Sequence, residues 1–73
     1  AYILISLKEG NEKSVVEELN TLSQIKEAHV LFGEWDIIAK VEVRNPEELS
    51  NFMLDVIRPW PDIKTTNTLI VAK

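Results

Sequence analysis

Ile25-Lys26-Glu27-Ala28-His29-Val30-Leu31-Phe32-Gly33-Glu34-Trp35-Asp36-Ile37-Ile38-Ala39-Lys40-Val41-Glu42-Val43 is the stretch that decides the fold. Residues 25–32 and 37–44 both read as strands, and only 33–36 separate them. Two apolar runs joined by so short a turn pair as an antiparallel hairpin. Gly33 permits the tight reversal that β-branched neighbours resist. In the second run Ile37, Ala39, Val41 and Val43 share one face, while Ile38, Lys40, Glu42 and Arg44 share the other. Asp36 stands at the entry to that run. A carboxylate beside so much apolar surface is costly unless something satisfies it, so Asp36 is either a turn cap or part of a site for a polar small molecule.

Upstream of the hairpin, residues 2–7 are apolar at nearly every position, as in a strand covered on both faces. Lys8-Glu9-Gly10 breaks that strand. Asn11 then caps a helix whose first turn carries Glu12, where the helix dipole favours negative charge. Val15, Val16, Leu19 and Leu22 recur at helical spacing, and the helix is expected to end near Ser23. Downstream, Asn45-Pro46-Glu47-Glu48 starts a second helix. Asn45 caps it, Pro46 takes the first helical position where its missing N–H is harmless, and Glu48 completes a capping-box-like pair. Leu49, Phe52, Met53, Val56 and Ile57 form its buried stripe. Pro59-Trp60-Pro61 ends the helix, with Trp60 as a packing plug, and a last strand runs over 63–72.

The order is βαββαβ in a single domain, 1–73. Two β-α-β crossovers on one four-stranded antiparallel sheet give an α+β, ferredoxin-like sandwich with both helices on one face. The opposite sheet face is then bare. Residues on both faces of the first two strands are apolar, so a second copy is expected to cover it, in the sheet-to-sheet association of dimeric α/β-barrels.

Size and charge narrow the function. A chain of 73 residues without cysteine has no disulfide or thiolate metal site and buries only about 60% of its unfolded surface, which favours self-association. Its net charge is −4, from 12 acidic against 8 basic residues. The basic residues are scattered, whereas a nucleic-acid binder clusters them. No apolar run reaches the roughly 20 residues of a membrane span and no charged leader opens the chain, so the expected location is cytoplasmic. Catalysis requires a nucleophile–base pair or paired carboxylates within reach, and no such set is visible. His29, the one histidine, reads as a partly exposed strand residue without a clear partner. Glu34 and Asp36 suggest a metal only weakly, with no histidine support. No catalytic residue, metal or cofactor is expected.

Beyond these readings, Ala28-His29-Val30-Leu31-Phe32-Gly33-Glu34-Trp35-Asp36-Ile37-Ile38 resembles the hairpin of the effector-binding (RAM) domain of the Lrp/AsnC, or feast/famine, transcription regulators. A Gly-x-aromatic-Asp turn leads into an apolar strand in that family. Ala1-Tyr2-Ile3-Leu4-Ile5 is similar to its first strand, and Ile63-Lys64-Thr65-Thr66-Asn67-Thr68-Leu69-Ile70-Val71 to its last, so the likeness spans essentially the whole chain. Two features depart from the pattern. Pro61-Asp62-Ile63 stands where the family commonly has Gly-Val, and no helix-turn-helix precedes Ala1, so DNA binding is not carried over. The resemblance implies a stand-alone sensor domain for an amino acid, bound between dimers of a ring-like octamer or decamer. It also implies possible co-assembly with full-length Lrp/AsnC regulators.

An amino acid needs a carboxylate or carbonyls for its ammonium, and N–H or hydroxyl donors for its carboxylate. Asp36 can meet the first need; turn N–H groups and the hydroxyls of Thr66 and Thr68 can meet the second. The family's sites use the Gly/Asp turn and last-strand threonines, which correspond to Gly33, Asp36, Thr66 and Thr68. With Glu34 and Trp35 of the same turn, these six are the expected ligand-binding residues. Trp35 either walls the pocket or packs across a subunit interface. Alternatives are an ACT-like amino-acid-binding module, disfavoured by the single glycine in Lys8-Glu9-Gly10-Asn11, a small dimeric α/β-barrel enzyme, and a purely structural oligomerisation module.

Overall fold

The computed structural model describes residues 1–72. Strand β1 (Tyr2–Leu7) is followed by helix α1 (Glu12–Leu19), strands β2 (Ile25–Val30) and β3 (Ile37–Val41), helix α2 (Pro46–Phe52), a π-helical turn (Met53–Ile57) and strand β4 (Ile63–Leu69). The strands form one sheet in the order β2-β3-β1-β4, with every neighbouring pair antiparallel. This is the expected ferredoxin-like sandwich. Strands β1 and β3 occupy the centre, and each β-α-β connection crosses over one of them.

Period-two alternation decides which side chains enter the core. Ile3, Ile5 and Leu7 of β1 and Ile37, Ala39 and Val41 of β3 are buried, together with Val15 and Leu19 of α1, Phe52 of α2, and Ile57. Their neighbours Tyr2, Leu4, Ser6, Ile38 and Lys40 lie on the other sheet face and are half-buried. Within one chain β1 is therefore covered on one face, not both. In β2 the buried pair is Ile25 and Ala28, three apart, because the register shifts between Ile25 and Glu27 and a bulge resets the alternation.

Helix α1 and strand β4 are shorter than the sequence suggests, each for its own reason. Helix α1 stops at Leu19 rather than near Ser23. The Thr21 hydroxyl and N–H both donate to the Glu18 carbonyl, at 2.6 and 3.1 Å, which tightens the last turn. Asn11 sits at the N-cap position but makes no side-chain cap bond. Its ψ of 36° lies outside the extended region from which a cap residue reaches the first turn. Strand β4 ends at Leu69 instead of Ala72, because its last partner on β1 is Tyr2.

Asn45 does cap α2, its Oδ1 accepting the Glu48 N–H at 2.8 Å, with Pro46 at the first position. The other half of the capping box does not form. The Glu48 carboxylate instead takes the Arg44 Nε–H at 3.2 Å. Past Phe52 the helix widens, and the Arg58 N–H reaches the Met53 carbonyl, five residues back, at 2.8 Å. Phe52 and Ile57 are both buried. In an unbroken α-helix residues five apart diverge by about 140°, so the π-turn is what keeps both on the core.

Candidate functional site

The turn at 31–36 is fixed from three sides. Gly33 has φ of +136°, the one positive φ among the described residues. A Cβ added there would meet nothing within 4 Å, so the glycine answers to backbone conformation and not to crowding. The Leu31 N–H donates to the Asp36 carbonyl at 2.8 Å, and the Asp36 N–H to the Ile5 carbonyl at 2.9 Å. Ile5 pairs with Ile37, so the register would next set Leu7 opposite Trp35. The chain has already turned away at that point. The Asp36 carboxylate takes the vacant rung, Oδ2 accepting the Leu7 N–H at 2.8 Å. Asp36 thus ties the turn to β1, across strands rather than within the hairpin.

Beside this turn lies a hollow of about 280 Å³, lined by Ser6, Glu34, Trp35, Lys64 and Thr65. Its size is near the lower end for small-molecule pockets. The Ser6 and Thr65 hydroxyls bond to each other across the β1–β4 pair. The Ser6 hydroxyl also reaches the Thr65 carbonyl at 3.5 Å, so both O–H groups have acceptors within the pair and are shared with any ligand only by exchange. Around one small space the fold therefore sets a carboxylate, an ammonium, a pair of hydroxyls and an indole.

Of the six expected residues, the structure brings Glu34 and Trp35 into this hollow and sets Gly33 and Asp36 in the turn beneath it. Thr66 and Thr68 are not brought there. They pair with Ile5 and Ile3, and so share the helix-facing side of the sheet. Thr66 lines a separate hollow with Arg58, and Thr68 another with Leu49, Met53 and Leu54. The hollow is also lined by Ser6, Lys64 and Thr65, which the sequence pattern does not single out. The Thr65-Thr66 pair offers a hydroxyl to either face, and only the register Ser6↔Thr65 shows which one meets the turn.

Other expected features have plain positions. Trp60 packs against the core and floors a larger hollow of about 460 Å³ with Leu22 and Val56, rimmed by Glu18 and Asp62. That rim offers no cation or hydroxyl for a carboxylate ligand. His29 does have a partner, its Nε2 lying 2.9 Å from Glu27 Oε1, although both side chains are more than half exposed. Among the described residues there is no cluster of three metal-ligating side chains, no buried polar or charged residue, and no helix long and apolar enough to cross a membrane.

A split β-α-β sandwich with a small polar-and-aromatic hollow at one end of its sheet is the architecture of this chain. The comparisons specify its family. The model of the Lrp/AsnC ligand binding domain matches residues 1–73, and the chain belongs to that family. The HTH-type transcriptional regulator FL11 of Pyrococcus horikoshii is 37% identical over 73 residues, covering 100% of this chain and 48% of FL11. The chain thus spans about half the length of the curated relatives it matches. Among solved structures, FFRP-DM1 superposes with a TM-score of 0.91 at 38% identity, covering 96% of this chain and 93% of that one. AsnC of E. coli gives 0.90 at 30%, covering 99% and 49%. The fold is also shared, at TM-score 0.80 and 17% identity, by the transcriptional regulator NMB0573 of Neisseria meningitidis, solved as a complex with L-Met, covering 99% and 50%. The relatives are transcriptional regulators, and the domain's part in them is regulatory rather than enzymatic.

Proposed function

We propose that this domain binds a free amino acid as an effector, in the hollow between the 31–36 turn and the start of β4. The observation that carries the reading is the lining itself. Glu34 is suited to an ammonium, Lys64 and the Ser6 and Thr65 hydroxyls to a carboxylate, and the Trp35 indole to the apolar part of a side chain. Asp36 acts as a positioning residue, holding the turn through Leu7. The L-Met complex of a regulator with this fold supports the ligand class.

The domain further assembles as a homo-oligomer through the sheet face opposite the helices. Tyr2, Leu4 and Ile38 are only half-buried in a single chain, and Leu69 beside them on β4 is 44% exposed. An apolar centre rimmed by Lys40, Glu27 and His29 has the composition of a protein interface. No DNA contact is proposed for these 73 residues, whose net charge of −4 disfavours a phosphate backbone.

Thermal-shift and calorimetric titration with the twenty amino acids tests the reading. At a ligand concentration a hundredfold above Kd, binding to the native state alone adds about 2.7 kcal/mol. At least one amino acid is expected to shift the transition saturably, with a weaker effect in Glu34→Gln and Thr65→Val. Absence of any saturable shift at millimolar concentration refutes the effector reading.

A further inference from the structure

We propose that a second hollow, about 290 Å³ and lined by Arg58, Ile63, Lys64, Thr65 and Thr66, is a binding site for a small oxyanion, a carboxylate or a phosphate. Its lining offers two cationic side chains, two hydroxyls and no carboxylate, in a chain whose net charge is −4. Among the described residues neither Arg58 nor Lys64 takes part in an ion pair, whereas Arg44 is held by Glu48. Two unneutralised cations on one small concavity repel each other, and an anion between them removes that cost. The groups also suit an oxyanion individually: a guanidinium offers a planar fork of donors, Lys64 a mobile point charge, and Thr66 a hydroxyl from the half-buried side of β4.

The backbone supplies an independent sign. Arg58 closes the π-helical turn through its N–H bond to the Met53 carbonyl. One residue more than an α-helix requires has been accommodated there. Its absence would rotate Arg58 about the helix axis by about 100°, away from Thr66. Single π-turns of this kind recur at functional sites, and here the turn aims a cation at the hydroxyl-bearing strand. Lys64 and Thr65 line both this hollow and the one beside Trp35, so the two share a wall.

Isothermal titration with inorganic phosphate and with succinate, each against chloride at matched ionic strength, tests the proposal, with folding of each variant checked by circular dichroism. At least one of the two anions is expected to bind saturably, and whichever does so identifies the ligand as phosphate or carboxylate. Binding is expected to be roughly tenfold weaker in Arg58→Gln, which removes the charge-assisted fork, and weaker in Thr66→Val, which is close in shape but lacks the hydroxyl. A response that follows ionic strength alone, or one unchanged in Arg58→Gln, overturns the site. The two readings fail separately. A protein that takes the anion but no amino acid refutes only the effector reading, and one that takes a neutral amino acid but neither anion refutes only the oxyanion site.

Discussion

Replacing Asp36 by alanine removes the acceptor of the Leu7 N–H, which the carboxylate holds at 2.8 Å in a half-buried position. A hydrogen bond to a charged group contributes about 1.5–3 kcal/mol when buried. Partial solvent access moves the expectation to the lower end, about 1.5 kcal/mol. For a domain of this size each kcal/mol corresponds to about 4–8 °C in Tm, so Asp36→Ala should melt about 6–12 °C lower. Asp36→Asn keeps an oxygen at the rung but loses the charge, and neutral hydrogen bonds are roughly half as strong. Its loss should be about half as large. Urea unfolding by circular dichroism at fixed protein concentration measures both, since association would otherwise shift the apparent stability. Amide exchange at Leu7 isolates the bond itself, and that one amide should lose protection in Asp36→Ala more than its neighbours in β1. A stability loss below about 0.5 kcal/mol, the range of ordinary surface substitutions, with Leu7 still protected, would refute the idea that this carboxylate completes the sheet.

Three further substitutions probe other parts of the structure. Gly33→Ala meets open space but must adopt φ of +136°, so denaturant unfolding should show a loss of about 1–3 kcal/mol; an unchanged midpoint would contradict the turn conformation. Asn45→Ala removes the cap on Glu48 and should cost about 1 kcal/mol, while Asn11→Ala, which removes no cap bond, should cost clearly less by the same measurement. Leu4→Asp places a charge at the centre of the open sheet face. If the proposed sheet-to-sheet assembly forms, native mass spectrometry should find an oligomer for the unsubstituted chain and a folded monomer for the variant; an oligomer that persists in the variant would move the interface elsewhere.

The elements were largely legible because their signals are local. Alternation marks Ile37, Ala39 and Val41, the Asn45-Pro46 start marks α2, and Gly33 marks the reversal, each within a few residues. The end of β4 was not legible, because apolar propensity runs on where a pairing partner runs out, whereas α1 ends early through the Thr21 bonds to the Glu18 carbonyl. Leu69 is the last β4 residue with a partner on β1, yet Ile70 and Val71 continue the apolar pattern. Asn11 illustrates the converse, a residue of the right type whose backbone angles prevent the cap.

By itself, the sequence determined the βαββαβ order, the helix-facing stripe and the family likeness carried by the turn, because periodicity and turn chemistry act over a few residues. Tertiary structure alone decided what the turn's carboxylates do. Asp36 is spent on a backbone rung of β1, while Glu34 opens on a hollow completed by Ser6, Lys64 and Thr65. That division depends on the register of β1 against β4, and a shift of one residue exchanges Thr65 for Thr66 on the face that meets the turn. Pairing across 59 residues of sequence, as between Ser6 and Thr65, is a property of packed strands and leaves no local signal to read.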